Sequence, residues 1–393
     1  MRILVVAMCD SVHTARWISQ LEGSGLSIVL FPSTPHRRLH PTITRMLRDP
    51  HSSLLRIRRS DRRLAFIFGL IDLLVAKRLQ GWRLRRLIKG TGFDVVHLLE
   101  TQHAGYLYLR AMSKVSHSLP VALSVWGSDF AWFSRFSRHR KRIAGVLALV
   151  KFLFIECRRD ELLAREIGYS GDCSQPIPAS GGIGNLDMLK PLEALDRPSL
   201  RTSIVVKGYT GFVGKASTSI LAVIQNAANL RGFKVHVYSC SLWMVAKLRF
   251  LKRQTGLDIR PYRKKSLSHE DVLTMFREAR VSLSLSLCDG LPGSFREAAW
   301  AGAFPIESVG SCVDEWVADN QQVRLVDPKN LQSVVEALRE ALSNSNMVDQ
   351  AWQKNAALAT RLSTNEIVVK VLAEYSRVLN SVSTPKTTIS NIS

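Results

Sequence analysis

Ser286-Leu-Cys-Asp-Gly-Leu-Pro-Gly-Ser-Phe-Arg-Glu-Ala-Ala-Trp-Ala-Gly-Ala-Phe-Pro-Ile306 is the most informative stretch of this chain of 393 residues. The apolar run Val281–Leu287 predicts a buried strand that leads straight into Asp289. A helix is predicted to begin near Gly293 and to carry Glu297 in its first turns. Backbone N–H groups at a helix start favour anionic or hydroxyl-rich ligands, and carboxylates accept hydrogen bonds from vicinal sugar hydroxyls. The stretch therefore points to recognition of a nucleotide sugar.

The second half of the chain repeats this alternation of strand and helix. Its strands are predicted at Ser203–Lys207, Val235–Ser239, Asp258–Arg260, Val281–Leu287, Phe304–Glu307 and Val323–Val326. Its helices are predicted at residues 216–230, 241–255, 268–279, 293–301, 312–319 and 329–344, and a further helix at Ile367–Leu379.

The first half follows the same pattern. Apolar runs typical of buried parallel strands lie at Ile3–Ala7, Ser27–Phe31, Val95–Leu99, Val121–Val125, Phe152–Glu156 and Ser174–Ile177. Helical periodicity is found at His13–Leu21, Asp61–Ile88, His103–Ser116 and Arg158–Ile167. Alternating strands and helices at this spacing predict an α/β protein with doubly wound sheets.

Prolines and glycines crowd the polar stretch between Pro176 and Pro198, which has no helical period. This is the best candidate for an interdomain linker. With 46% hydrophobic residues, the chain is long enough for two domains of ordinary size. The six cysteines form no C-x-x-C pair, which suits reduced thiols in a cytosol. The apolar segment that starts the chain predicts a buried strand, being too short for a signal peptide, and no apolar run approaches the ~20 residues of a membrane span.

The net charge of +22 is concentrated in the first half of the chain. Arginines and lysines dominate residues 37–89, where only Asp49, Asp61 and Asp72 oppose them, and a second basic cluster covers 135–142. Such a field attracts an anionic leaflet, a lipid pyrophosphate or nucleic acid. Because apolar residues interleave with the charge, we expect an anionic membrane surface and not nucleic acid as the partner. A solvated basic face is the plainer alternative.

The acidic stretch resembles the signature of the retaining family 4 glycosyltransferases of the GT-B fold, also called glycosyl transferases group 1. In that family a Glu, seven further residues and a second Glu precede a helix of small residues, a Gly and a strand. Asp289 stands here at the place of the first Glu. The other positions match in order: Gly290, Pro292, Glu297, Gly302 and Pro305.

The resemblance implies two Rossmann-like domains facing a central cleft. Residues 1–178 would form the acceptor-binding domain, 179–200 the linker and 201–365 the nucleotide-sugar-binding domain. The helix at 366–380 would pack back on the first domain, and residues 381–393 are expected to form a disordered tail. The cleft would lie outside the carboxyl ends of both sets of strands.

The resemblance also implies roles for individual residues. Asp289 would hold the donor sugar and Glu297 the ribose hydroxyls. Lys207 and Lys215 are the nearest matches to the basic pair that neutralises the donor pyrophosphate. The remaining donor contacts would come from Gly290, Leu291 and Pro292, next to Glu297.

Two residues of the first half complete the candidate catalytic set. His13 begins a helix after the first strand, where the loop would meet the acceptor, although a capping or core histidine is an equal alternative. Asp129 follows Gly127-Ser128 after another strand, where it would be an acceptor-side or hydrogen-bonding residue; an Asp that caps its own turn is the alternative.

These residues predict transfer of a sugar from a nucleoside diphosphate sugar to a hydroxyl of a glycan or lipid-linked acceptor. Surface polysaccharide or lipopolysaccharide assembly in a bacterium is the implied setting. We expect a cytoplasmic protein, peripheral on the inner face of the membrane, with no cofactor or metal beyond the donor, since no cluster has metal-ligand spacing. The alternatives are a GT-B nucleotide-sugar epimerase, a phosphorylase, and a noncatalytic basic protein that binds nucleotides or polyanions.

Overall fold

The computed structural model describes residues 1–50, 52–74, 78–90, 92–115, 118–184, 196–319 and 321–383. The chain forms two compact units. Unit 1 comprises Met1–Gly182 together with the chain from Ile367, and unit 2 comprises Ile183–Glu366. The residues 185–195 of the predicted linker lie outside the described residues.

Unit 1 is built on a parallel sheet of seven strands in the order β3-β2-β1-β4-β5-β6-β7. The strands are β1 (Arg2–Ala7), β2 (Ser27–Pro32), β3 (Leu55–Arg56), β4 (Val95–Leu99), β5 (Val121–Ser124), β6 (Phe152–Phe154) and β7 (Asp172–Cys173). The helices are α1 (Val12–Ser19), α2 (Pro41–Met46), α3 (Arg59–Arg63), α4 (Ala65–Leu74), α5 (Arg78–Gly90), α6 (Tyr106–Met112), α7 (Ser137–Leu147) and α8 (Arg158–Glu166). A π-helical turn, Thr101–Gly105, precedes α6.

The single helix predicted over Asp61–Ile88 is wrong, because the chain divides there into α3, α4 and α5. Buried carboxylates hold this arrangement. Asp72 accepts a hydrogen bond from the backbone N–H of Gln80 at 3.1 Å, and Arg83 of α5 reaches back to Asp61. Apolar periodicity alone does not report where one of these helices ends and the next begins.

The strand predicted at Ser174–Ile177 is also wrong, since β7 covers Asp172–Cys173. The backbone N–H groups of Ser174 and Ile177 still donate to the carbonyls of Leu153 and Ile155, in and just after β6, at 2.8 Å each. Pro176 between them has no N–H and so interrupts the ladder. The helices α2 and α7 were not predicted.

Unit 2 carries a second parallel sheet, of six strands in the order β10-β9-β8-β11-β12-β13. The strands are β8 (Ser203–Lys207), β9 (Lys234–Cys240), β10 (Asp258–Arg263), β11 (Val281–Ser284), β12 (Phe304–Ser308) and β13 (Arg324–Val326). The helices are α9 (Ala216–Gln225), α10 (Leu242–Thr255), α11 (His269–Glu278), α12 (Gly293–Ala301), α13 (Leu331–Ser343) and α14 (Ser345–Arg361).

Several limits and one helix of unit 2 differ from the prediction; α9, for example, ends at Gln225 and not at residue 230. The strand expected to reach Leu287 ends at Ser284, because the backbone beyond it bonds the loop after β8: Lys215 N–H donates to the Leu285 carbonyl at 2.9 Å. The helix predicted at 312–319 is wrong and is only a 3-10 turn, Val313–Glu315. The helix α14 was not predicted.

The last helix, α15 (Thr364–Ser383), packs against the sheet of unit 1. Ile367, Val371, Tyr375 and Val378 recur at helical spacing and are fully buried in the same core as Ile3. This helix continues three residues into the predicted tail, whose remaining residues, 384–393, lie outside the described residues. In the described part of the chain, no helix has both the length and the apolar character needed to cross a bilayer.

Candidate functional site

Glu297 is the fifth residue of α12 and is largely buried. Its side chain is 11% exposed, and its Oε1 lies 2.8 Å from Nε2 of His269, the first residue of α11. Ser268 caps α11 through a capping box with Asp271, which fixes the position of His269 on its helix. The side chain of His269 is half exposed, but it contacts the central carboxylate of the candidate site.

Asp289 lies in the loop between β11 and α12 and is half-buried. Its Oδ1 accepts from the N–H of Gly290 at 3.0 Å, and its own N–H donates to the Gly310 carbonyl at 3.2 Å. A Cβ at Gly310 would lie 2.4 Å from the Leu287 carbonyl oxygen, so only glycine permits this approach of the two loops. The loop after β12 thereby holds the loop that carries Asp289.

The three residues that follow Asp289 are buried and form the entry to α12. Leu291 is 3% exposed and belongs to the hydrophobic core of unit 2, so its side chain packs in that core. Pro292 is the N-cap residue and provides no side-chain hydrogen bond to the helix start. The first N–H groups of α12 therefore rely on other acceptors, as is typical of helix starts that bind anions or hydroxyls.

Lys207 and Lys215 are brought to the same edge of the sheet as the acidic segment. Lys207 is the last residue of β8, the strand next to β11, and Lys215 is the N-cap residue of α9. The loop between them bonds to the segment before Asp289: Gly214 forms a bridge with Ser286, and Leu287 N–H donates to the Val213 carbonyl at 2.8 Å. Both lysines are half-buried.

Glu307, near the end of β12, is a carboxylate at this edge that the sequence interpretation did not include. It is 1% exposed, and among the described residues its Oε1 has no hydrogen-bond partner. Burial raises the pKa of this carboxyl well above its ordinary value, and nearby Asp289 adds to the rise, whereas Lys207 and a hydrogen bond from Ser294 oppose it. The sequence could have indicated Glu307, because it is a carboxylate at the end of a predicted strand that follows the acidic signature.

Asp129 occupies the corresponding edge of the sheet in unit 1 and is 2% exposed. Its Oδ2 accepts from Thr101 N–H at 2.8 Å, from the Thr101 hydroxyl at 3.0 Å and from Trp126 N–H at 3.1 Å. Burial raises the pKa of Asp129 well above its ordinary value, and the carboxylate of Glu100 raises it further. The contacts are those of a residue that ties the ends of β4 and β5 together.

His13 lies at the second position of α1 and is exposed, with its backbone N–H donating to the Ser11 hydroxyl at 3.2 Å. Its ring packs on Trp126, with 5.1 Å between ring centroids. The backbone N–H of Trp126 donates to Asp129, so His13, Trp126 and Asp129 form one cluster at the carboxyl ends of β1 and β5. His97 is not part of it: this histidine is fully buried, between the Tyr375 hydroxyl at 2.6 Å and the Ser124 hydroxyl at 2.9 Å.

The predicted site residues thus form two groups. In unit 2 four predicted residues lie on elements at the carboxyl edge of the second sheet: Lys207, Lys215, Asp289 and Glu297. Glu307, which was not predicted, lies at the same edge. In unit 1 it gathers His13 and Asp129 around Trp126. The first group can bind a ligand that carries both phosphates and hydroxyls.

Comparison with known proteins bears on the fold of the chain. Residues 2–159 match the family model described as "Glycosyl transferase 4-like". HepE from Anabaena, solved in complex with UDP and glucose, aligns over 96% of this chain and 100% of its own, with a TM-score of 0.69 at 11% identity. Sucrose-phosphate synthase from Thermosynechococcus elongatus aligns over 97% of this chain and 100% of its own, with a TM-score of 0.73 at 11% identity.

A further solved structure of the same fold is the α,α-trehalose 6-phosphate synthase from Burkholderia multivorans. It aligns over 97% of this chain and 98% of its own, with a TM-score of 0.64 at 13% identity. No curated protein matches this chain by sequence. The resemblance to the family 4 glycosyltransferases and the α/β GT-B fold, both inferred from the sequence, are confirmed.

Proposed function

We propose that this chain, which has the GT-B fold and matches the glycosyl transferase 4-like family over residues 2–159, is a retaining hexosyltransferase. It moves a sugar from a nucleoside diphosphate sugar to a hydroxyl of its acceptor. The observation that carries the proposal is the convergence of two lysines and the Asp289–Glu297 segment on one edge of the second sheet. HepE has been solved with UDP-glucose, which makes that donor the first to test.

Four side chains at this edge have a role in donor binding. Glu297 accepts hydrogen bonds from the ribose hydroxyls and is held in place by His269. Asp289 accepts from hydroxyls of the transferred sugar. Lys207 and Lys215 neutralise the diphosphate, assisted by the N–H groups at the starts of α9 and α12.

Transfer requires departure of the nucleoside diphosphate. The bond between the anomeric carbon and the phosphate oxygen breaks, a bond from the acceptor oxygen forms on the same face, and the acceptor proton passes to the departing phosphate. Stabilising the charge that develops on the phosphate lowers the barrier. Because two ammonium groups and two helix starts supply this positive charge, the proposal requires no metal. The side chains of His13 and Trp126 position the acceptor, on which the rate strongly depends.

The proposed acceptor is a glycan or a lipid-linked saccharide in the assembly of a bacterial surface polysaccharide, at the cytoplasmic face of the membrane. The support comes from α4 of unit 1. Its residues Ile67, Leu70 and Leu74 follow helical spacing and are 50%, 49% and 87% exposed. We call them the apolar stripe. Basic residues of α3 and α5 flank it, which suits an anionic lipid surface rather than nucleic acid.

The experiment is an assay of nucleoside diphosphate release from a panel of nucleotide sugars, with membrane extract as the source of acceptor. We expect Glu297→Gln to reduce release at least a hundredfold, while Glu336→Gln, an exposed residue of α13, leaves it unchanged. Anomeric couplings of the product by NMR test retention. Equal release by the two variants would contradict the role of Glu297, and an inverted product would contradict retention.

A further inference from the structure

An open cavity of about 1240 Å³ lies in unit 1, apart from the His13 cluster. Its walls come from the turn after α1, the loop after β2, α2 with the residues that follow it, and Arg62 near the end of α3. Five arginines line it: Arg37, Arg38, Arg45, Arg48 and Arg62. We infer that this cavity binds the pyrophosphate or phosphate ester of a lipid-linked acceptor. The inference deepens the proposed function, on which its identification of the ligand as an acceptor rests.

The charge balance of the cavity is strongly positive. Glu22 and Asp49 are the acidic residues of its lining. Among the described residues, Arg45 is the cavity arginine with a carboxylate partner, Glu22 at 3.6 Å, and that pair is largely exposed. Five guanidinium groups and two carboxylates thus line the cavity, which leaves its lining with a net charge of +3 (five positive minus two negative). Guanidinium forks match the oxygens of phosphate esters and bind them with paired hydrogen bonds.

The surroundings of the cavity favour a phosphate ester that carries an apolar chain. The guanidinium carbon of Arg37 lies 4.5 Å from the ring centroid of Phe66 in α4. Gly69 of the same helix packs closely on Pro35, in the loop that forms the cavity wall. This face of α4 thus lies against the cavity wall, while the apolar stripe is exposed on the helix. A ligand that carries both a pyrophosphate and a hydrocarbon chain would match the arginines of the cavity and the apolar stripe of the adjoining helix.

A solvated basic face explains the charge but not this combination of features. The five arginines line one concavity, and the helix that adjoins its wall exposes an apolar stripe, a combination that a solvated basic face does not require. Bulk phospholipid headgroups would be attracted to the whole basic surface, so they predict no special sensitivity to the cavity arginines.

The test is calorimetric titration of the full-length chain with inorganic pyrophosphate, farnesyl pyrophosphate and farnesol. All variants carry Lys207→Gln and Lys215→Gln, so that the proposed donor site does not contribute. The test variant adds Arg38→Gln and Arg48→Gln in the cavity. The control adds Arg138→Gln and Lys141→Gln, which remove the same charge from exposed positions of α7.

Relative to the protein with Lys207→Gln and Lys215→Gln alone, we expect the cavity variant to bind both pyrophosphates at least tenfold more weakly, since each arginine contributes charge-assisted hydrogen bonds. We expect the affinity of the control variant to fall less than twofold. Tighter binding of farnesyl pyrophosphate than of inorganic pyrophosphate supports a lipid-linked ligand, and equal binding of the two would overturn the assignment to a lipid-linked acceptor. Equal losses in the two variants, no loss in either, or binding only to phosphatidylglycerol vesicles would overturn the inference.

Failure of the inference can be told apart from failure of the proposed function. With Lys207 and Lys215 intact, we expect the Arg38→Gln/Arg48→Gln protein to bind UDP-glucose as the wild type does. If no nucleotide sugar binds the wild type while the cavity still discriminates between the two variants, the proposed function fails and the anion site remains.

Discussion

At the residue scale, the three carboxylates at the edge of the second sheet are held in different ways. Glu297 contacts His269, Asp289 is held by the backbone of its own loop, and Glu307 is buried with one oxygen unpartnered among the described residues. Because a carboxylate binds sugar hydroxyls only when its oxygens point at them, the neighbour of each carboxylate matters as much as its presence.

Replacing His269 should weaken donor binding without removing it. Its Nε2 lies 2.8 Å from Glu297, but its side chain is 47% exposed, so the contact is screened by water. We expect His269→Ala to raise the dissociation constant of the donor about two- to fivefold. His269→Gln, which keeps a nitrogen that donates a hydrogen bond, should restore part of the affinity for the nucleotide sugar. Glu270→Gln should leave that affinity unchanged. Calorimetry measures this, and unchanged affinity in His269→Ala would refute a positioning role.

Glu307 should make the stability of unit 2 depend on pH. Since burial raises the pKa of Glu307, the folded chain holds this proton at pH values where the unfolded chain has lost it. Stability therefore falls as pH rises above the ordinary carboxyl range. We expect Glu307→Gln to raise the Tm by about 2–4 °C at pH 8, with the difference vanishing near pH 4.5. Thermal unfolding at several pH values measures it, with Glu336→Gln as the control; a lower Tm in Glu307→Gln at pH 8 would contradict the account.

Asp129 should prove structural when its charge and its hydrogen bonds are removed separately. Asp129→Ala leaves three buried donors without their acceptor, a cost of about 2–4 kcal/mol. Asp129→Asn keeps an acceptor oxygen and should lose much less stability. Unfolding midpoints compare the two, with exposed Asp172→Ala as the control. If Asp129→Ala were as stable as the wild type and yet inactive, a direct role in chemistry would replace the structural one.

How far single residues could be predicted depends on whether their partners are near in sequence. Asp289 and Glu297 were identifiable because turn, glycines and acids lie within one short stretch. His269 contacts Glu297 from another helix, and Glu307 becomes unusual only through burial against neighbouring strands. No local pattern records either relation, although each residue begins or ends a predicted element.

At the element scale, α4 of unit 1 exposes the apolar side chains of its stripe. Substitutions in the apolar stripe should cost little stability, since those side chains bury little surface in the folded chain. Ile67→Ser, Leu70→Ser and Leu74→Ser combined should reduce binding to phosphatidylglycerol vesicles at least tenfold. Cosedimentation measures it, with Leu162→Ser, 64% exposed on α8, as the control. Undiminished binding would exclude the stripe as the membrane contact.

Elements were predictable where one periodicity continues between clear boundaries. The helix α12 was predicted at its observed limits, because Pro292 precedes it and Gly302 ends it in the left-handed conformation, with φ of 82°. The region of α3, α4 and α5 was mistaken for one helix, since its reversals depend on Asp61 and Asp72 binding side chains and backbone far along the chain. Long-range polar contacts leave no periodic signal.

At the scale of the whole molecule, the two units are built on the same architecture. Parallel strands with apolar residues on both faces are covered by helices, and the loops at their carboxyl ends carry the polar side chains. The last helix returns to unit 1 because its buried positions complete that core. Alternation of strands and helices made this architecture predictable, whereas the limits of the units follow from contacts that the sequence does not display.

The most direct measurement of the central claim is calorimetric titration of nucleoside diphosphate sugars, UDP-glucose among them, into the wild type, Glu297→Gln and Glu336→Gln. The account predicts saturable binding of at least one nucleotide sugar with one site per chain. It also predicts at least a tenfold loss in Glu297→Gln, where charged hydrogen bonds to the ribose are removed, and no loss in Glu336→Gln. No saturable binding of any donor, or equal affinity in Glu297→Gln and the wild type, would contradict it.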